Sequence, residues 1–119
     1  MIFNLTKFRV SDNSGVKEVK CFKIFGTKVG SIGSVIYVSV KNFTNKSKLR
    51  KGSIVKGIII RNRKLIDRKT GNFLLFDCNE LVLLNEKYEL LGTRVFGPLP
   101  LELRKKGNSK LLSLASTLI

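Results

Sequence analysis

Turn formers recur too often in this chain for a long element to form before about residue 98. Ser11-Asp12-Asn13-Ser14-Gly15 is a cluster of such residues, Gly26, Gly30 and Gly33 mark a second break, and Thr70-Gly71-Asn72 a third. Between the breaks lie short segments rich in Val, Ile and Phe: Phe8 to Ser11, Val16 to Phe25, Ser34 to Lys41, Ile54 to Arg61, Phe73 to Leu84 and Gly92 to Phe96. Ser34 to Lys41 alternates with a period of two, placing Ile36, Val38 and Val40 on one face and Tyr37, Ser39 and Lys41 on the other. Gly57, inside the apolar strand Ile54 to Arg61, marks a bend, a bulge or a close backbone approach. Short strands at near-regular spacing argue for a small barrel, which removes exposed strand edges.

After Pro98 and Pro100 the pattern changes. Leu101, Leu103, Leu111, Leu112, Leu114 and Ala115 have the spacing of short helical turns packed on the barrel. The expectation is one mainly β domain over 1–119, with the barrel in 1–98 and a short helical C-terminal region in 99–119. A length of 119 residues leaves little room for a second core.

Composition restricts the chemistry. The chain has no His, which excludes Ser-His and Cys-His nucleophilic arrangements and His-ligated metals. Cys21 and Cys78 form no CxxC pair and sit in apolar stretches, as buried thiols in a reducing compartment do. Gly26 to Gly33 lacks the Gly-Lys-Ser/Thr ending of a phosphate loop. Asp77 and Glu80 fall towards opposite faces of an extended segment, and Asp12 suits a turn. No catalytic, cofactor or metal site is expected. No apolar run approaches the roughly 20 residues that span a bilayer, and no presequence is expected before the first strand.

Charge carries the functional signal. The 23 Lys and Arg outnumber the 8 Asp and Glu, for a net charge of +15. Between Glu18 and Asp67 twelve basic residues meet no acidic one. They concentrate in Lys41, Lys46, Lys48, Arg50 and Lys51, then Lys56, Arg61, Arg63 and Lys64, with Arg68 and Lys69 just beyond. A solvated surface intersperses both signs, so the imbalance points to a polyanion such as nucleic acid. The Lys46 to Lys51 connector and the Arg61 to Lys69 segment are expected to project as two basic loops, with Phe43 and Phe73 placed to stack on bases.

Three groups of residues together resemble the large-subunit ribosomal protein fourteen family in its bacterial and organellar form. They are Val10 to Gly15 with Cys21; Gly57-Ile58-Ile59-Ile60 followed by Gly71, Phe76, Asn79, Val82 and Leu83; and Gly92 to Pro98 continuing through Glu102-Leu103-Arg104 to Leu114-Ala115. The resemblance runs the length of the chain. It implies a five-stranded β-barrel with a short helical end, and a structural, non-enzymatic role in the large subunit. It also implies binding to large-subunit rRNA, a bridge to small-subunit rRNA, and contact with large-subunit proteins three and nineteen. A ribosome-silencing factor docks in that family on a surface that here includes Thr93, Arg94 and Lys110.

Two other functions fit a basic small barrel. A free-standing single-stranded nucleic-acid-binding factor needs its aromatics gathered on one face, whereas the Phe residues here are scattered. A protein lying on anionic membranes needs a basic amphipathic helix, and no membrane partner is expected. Phe, Tyr, Met, Ile, Asn and Lys total 46 against 20 for Gly, Ala, Arg and Pro. That skew is what an AT-rich coding sequence produces. It points to an organelle-encoded protein of a mitochondrion, with a plastid or bacterial cytoplasm as the alternatives.

Overall fold

The computed structural model describes residues 6–24, 30–45, 49–63, 65–106 and 109–119. Its strands are β1 (Lys7–Val10), β2 (Val16–Ile24), β3 (Val35–Phe43), β4 (Ile54–Arg61), β5 (Ile66–Asp67), β6 (Phe73–Leu74), β7 (Glu80–Leu84), β8 (Val95–Leu99) and β9 (Ala115–Leu118). Five of them close into a barrel in the order β1-β2-β3-β4-β7. Neighbours are antiparallel except at the seam, where β1 runs parallel to β7. Register shifts within the β2–β3 and β4–β7 ladders add local twist, which a closed sheet of so few strands requires.

The expected alternation in β3 is present: Ile36, Val38 and Val40 are buried and Lys41 is exposed. These side chains meet Phe8, Val19, Cys21, Val55, Ile59, Leu81 and Leu83 inside the barrel. Gly57 is a close approach. A Cβ there would stand 3.1 Å from Leu81 Cδ1 and 3.2 Å from the Val82 carbonyl oxygen. Any larger residue would push β4 away from β7.

Strands β4 and β7 differ from the others because both their faces are covered. Ile59, Leu81 and Leu83 point inwards, while Ile58, Ile60, Val82 and Leu84 point out into a second apolar cluster. Burial on both sides is why Ile58-Ile59-Ile60 and Leu81-Val82-Leu83-Leu84 are unbroken apolar runs rather than alternating ones. The cover comes from the end of the chain: β8, a 3₁₀ segment Leu101–Lys106, and helix α1 (Ser109–Leu114). It contributes Val95, Leu99, Leu103, Leu111 and Leu112. Full burial of each Leu contributes roughly 1.5–3 kcal/mol, so this layer is part of the folding unit.

Two details differ from the sequence expectation. The segment Val95–Leu99 is no barrel strand; it belongs to the covering layer. The chain does not end in helix either. After α1 it turns back, and β9 pairs in parallel with β8, with Leu99 opposite Leu118. β8 lies outside the barrel, so its edge groups need partners, and the Ile119 N–H bonds the Leu99 carbonyl.

Candidate nucleic-acid interface

The Asp12-Asn13-Ser14 turn is built from its own side chains. Asp12 Oδ1 accepts from the Ser14 N–H at 3.0 Å, which closes the turn. Its other oxygen accepts from the Leu83 N–H at 3.1 Å and ties the turn to β7. Asn13 reaches the opposite end of the sequence. Its Oδ1 accepts from the backbone N–H groups of Thr93 (2.8 Å) and Arg94 (3.2 Å), and its Nδ2 donates to Thr93 Oγ1 at 2.8 Å. The fold therefore joins the first and last of the three motif segments. Gly92 permits the contact, since a Cβ there would stand 2.7 Å from Asn13 Oδ1.

Arg61 corrects the sequence expectation. Its side chain does not project as part of a basic loop; the residue is only 5% exposed. Its Nε is paired with Glu80, Nη1 donates to the Pro98 carbonyl at 2.7 Å, and Nη2 donates to Ser11 Oγ at 2.6 Å and the Phe96 carbonyl at 2.9 Å. With its charge compensated and its donors engaged inside the protein, this guanidinium fastens β8 to the barrel. The available sequence signal was its position closing one apolar run, with Glu80 opening the next.

Arg68 is also tied down. It holds Glu102 bidentately, Nε to Oε1 at 2.6 Å and Nη2 to Oε2 at 3.0 Å, and donates to the Ile119 carbonyl. The β5–β6 hairpin is thereby anchored to the covering layer, and the Glu102 hydrogen bond holds the guanidinium more firmly protonated. Lys56 is half-buried, its ammonium 4.1 Å from the Tyr88 ring centroid and 5.8 Å from that of Tyr37.

The other basic residues named from the sequence are on the outside where they are described. Lys41, Arg50, Lys51, Arg63 and Lys69 are exposed, while Lys46, Lys48 and Lys64 lie outside the described residues. Arg50 and Lys51 occupy a turn closed by the Ser53 N–H bonding the Arg50 carbonyl, with Gly52 at φ 85°. Because β3 and β4 are antiparallel, this turn and the segment after Arg61 leave the barrel at opposite ends. Arg63 is braced by its Nε donating to the Asp77 carbonyl at 2.6 Å, and its N–H to Asn79 Oδ1 at 3.1 Å. Lys69 stands at the hairpin tip beside Phe73, which is 63% exposed. Phe43 is exposed too. Thr93 and Arg94 present exposed side chains ahead of β8, and Lys110 is exposed on α1.

Sequence reasoning missed the open wall of the barrel. Among the described residues no layer covers β1, β2 and β3, and beside Lys41, already named from the sequence, they carry Lys7, Arg9, Lys17, Lys20 and Lys23 against the single acid Glu18. The signal was present in β1, where Lys7 and Arg9 flank the buried Phe8. The thiols split: Cys21 is buried in the barrel, as expected, but Cys78 is only half-buried, at the barrel's edge. Burial raises both thiol pKa values, Glu80 adding to the effect at Cys78. Of the two carboxylates singled out from the sequence, Glu80 is engaged by Arg61, while the backbone carbonyl of Asp77 accepts from Arg63 Nε. Among the described residues no three Cys, Asp or Glu side chains gather as a metal site needs.

A small closed barrel, covered along β4 and β7 by the chain's own end and basic along β1, β2 and β3, defines a compact structural module. The chain belongs to the ribosomal protein L14p/L23e family, whose model matches residues 1–119. It is accordingly a structural protein of the large ribosomal subunit, from a family that is not one of enzymes.

Proposed function

We propose that this chain binds large-subunit rRNA electrostatically and sits at the inter-subunit face, where it bridges to small-subunit rRNA. The observation that carries the reading is the separation of charge from carboxylates. Among the described residues the exposed cations Lys41, Arg50, Lys51, Arg63 and Lys69 have no carboxylate bonded to them, whereas Arg61 and Arg68, which do, serve the fold. Lys46, Lys48 and Lys64 belong to the same basic segments. A rigid barrel fixes where these cations stand, so phosphates are met by preset charges. Each phosphate neutralised contributes about 0.7 to 0.9 to the log–log salt slope. Exposed Phe43 and Phe73 beside these segments supply stacking surfaces.

The same reading gives the chain large-subunit proteins three and nineteen as neighbours. It makes Thr93, Arg94 and Lys110 the contact for a ribosome-silencing factor. Asn13 supports that surface by fixing the backbone at Thr93 and Arg94. The AT-rich composition favours a mitochondrial ribosome.

Sucrose-gradient fractionation tests the central claim. Reversing Arg50, Lys51 and Arg63 to Glu is expected to move the protein from the large-subunit peak to the top of the gradient, with the barrel still folded. Co-sedimentation at the wild-type level would remove these residues from the rRNA contact.

A further inference from the structure

On the open wall of the barrel, Lys7 and Lys20 are register partners on adjacent strands. Both lie on the outer face, since Phe8 and Val19, the next pair, are buried inside. Like charges directly opposite one another destabilise a sheet. The following outward pair, Arg9 and Glu18, is complementary, and Asn42 Nδ2 donates to Glu18 Oε2 at 2.9 Å. Among the described residues the Lys7–Lys20 pair has no carboxylate bonded to it. Such repulsion in the free protein is relieved by an anion bound between the two charges.

A cleft of about 410 Å³ opens at this place. It is lined by Lys7 and Arg9 from β1, Arg63 from the segment after β4, Cys78 and Asn79 from the approach to β7, and Glu18 from β2. Its volume falls within the range of sites that hold small ligands (~300–1,000 Å³). Three cations converge from two stretches of chain far apart in sequence. Arg63 is pre-positioned: its Nε and backbone N–H are used by Asp77 and Asn79, and its terminal nitrogens have no acceptor among the described residues. That leaves the fork free for two oxygens of one anionic group, the geometry in which guanidinium meets phosphate. Of the nearby carboxylates, Glu18 faces Arg9 and Glu80 is engaged by Arg61.

We infer that this cleft, with Lys20 on its flank, is a binding site for the phosphodiester backbone of RNA, with Arg63 gripping one phosphate and Lys7 and Arg9 the neighbouring charge. It rests on the rRNA-binding reading above and names a contact surface, including Lys7, Arg9 and Lys20, beyond the two basic loops. The site takes backbone rather than bases, because its lining offers cations and no exposed aromatic ring.

The test compares Lys7→Gln, Arg63→Gln and the control Lys87→Gln, which removes an exposed charge from the turn before Tyr88. Affinity for a large-subunit rRNA transcript is measured across a salt series, with thermal unfolding of each free protein alongside. The expected result for Lys7→Gln is several-fold weaker binding, a slope lowered by roughly 0.7 to 0.9, and a higher unfolding temperature because the Lys7–Lys20 repulsion is gone. Arg63→Gln is expected to weaken binding likewise, and Lys87→Gln to leave both affinity and slope near wild type. If wild type binds steeply with salt while Lys7→Gln and Arg63→Gln match it, the cleft is not the site, and the rRNA reading stands on the other basic residues without Arg63. If wild type shows no salt-dependent binding, both fall.

Discussion

Arg61 lies directly under the bare Cα of Gly97: a Cβ at that position would stand 2.7 Å from Arg61 Nη1. The guanidinium donates to the carbonyls on either side, Phe96 and Pro98, so the chain is wrapped around it. Gly97 has φ 79°, a conformation that glycine adopts without steric cost. The contact joins the end of a barrel strand to the start of the covering layer.

Gly97→Ala is therefore expected to cost more than the usual left-handed penalty of roughly 1–2 kcal/mol, because the new methyl also displaces Arg61. Gly71→Ala is the control, with φ 87° but nothing within 4 Å of its added Cβ. Urea unfolding of the two variants should rank Gly97→Ala as clearly the more destabilised. Equal losses would mean that Arg61 moves aside freely.

Arg61→Lys keeps the charge but loses the planar fork that serves Glu80, Ser11, Phe96 and Pro98 together. Removing one partner from a buried pair costs about 3–5 kcal/mol, and the lysine variant should approach that loss. Chemical denaturation checks it. A loss below about 1 kcal/mol, the net value of a single ordinary hydrogen bond, would show that the fork is not what fastens β8.

Asn13→Ala removes three hydrogen bonds to Thr93 and Arg94 at once. The expected loss is about 1–3 kcal/mol, since donors at the rim regain water when released. Amide exchange at Thr93 and Arg94 should accelerate while exchange in β3 stays slow. Unchanged protection at Thr93 would place the hold on that segment elsewhere.

Alkaline pH should weaken the fold through Cys21. Burial raises its pKa in the folded protein above the ordinary 9.0. Below pH 9.0 both states keep the thiol proton, so stability is unaffected by it there. Above that value the unfolded chain ionises first, and stability declines until the folded thiol also loses its proton. Cys21→Ala should show a shallower decline between pH 9 and 11 by up to about 1.4 kcal/mol per unit. Parallel profiles for the two proteins would rule the thiol out.

What the sequence determined is local. The period-two pattern of β3, the turn at Asp12 to Gly15, and the marking of Gly57 as a bend, a bulge or a close approach all follow from residues near one another in the chain, as does the expectation of a polyanionic partner. Tertiary structure alone decided the uses of Arg61 and Arg63. They are two residues apart and chemically identical, yet one is buried against Glu80, Phe96 and Pro98 while the other lines an open cleft. Likewise Lys7 and Lys20 came to face each other only when β1 and β2 paired, and the chain end became a strand only because β8 left it an edge. Periodicity tells a side chain which face it is on. What answers its charge depends on which distant segment the fold brings alongside, and no local pattern encodes that.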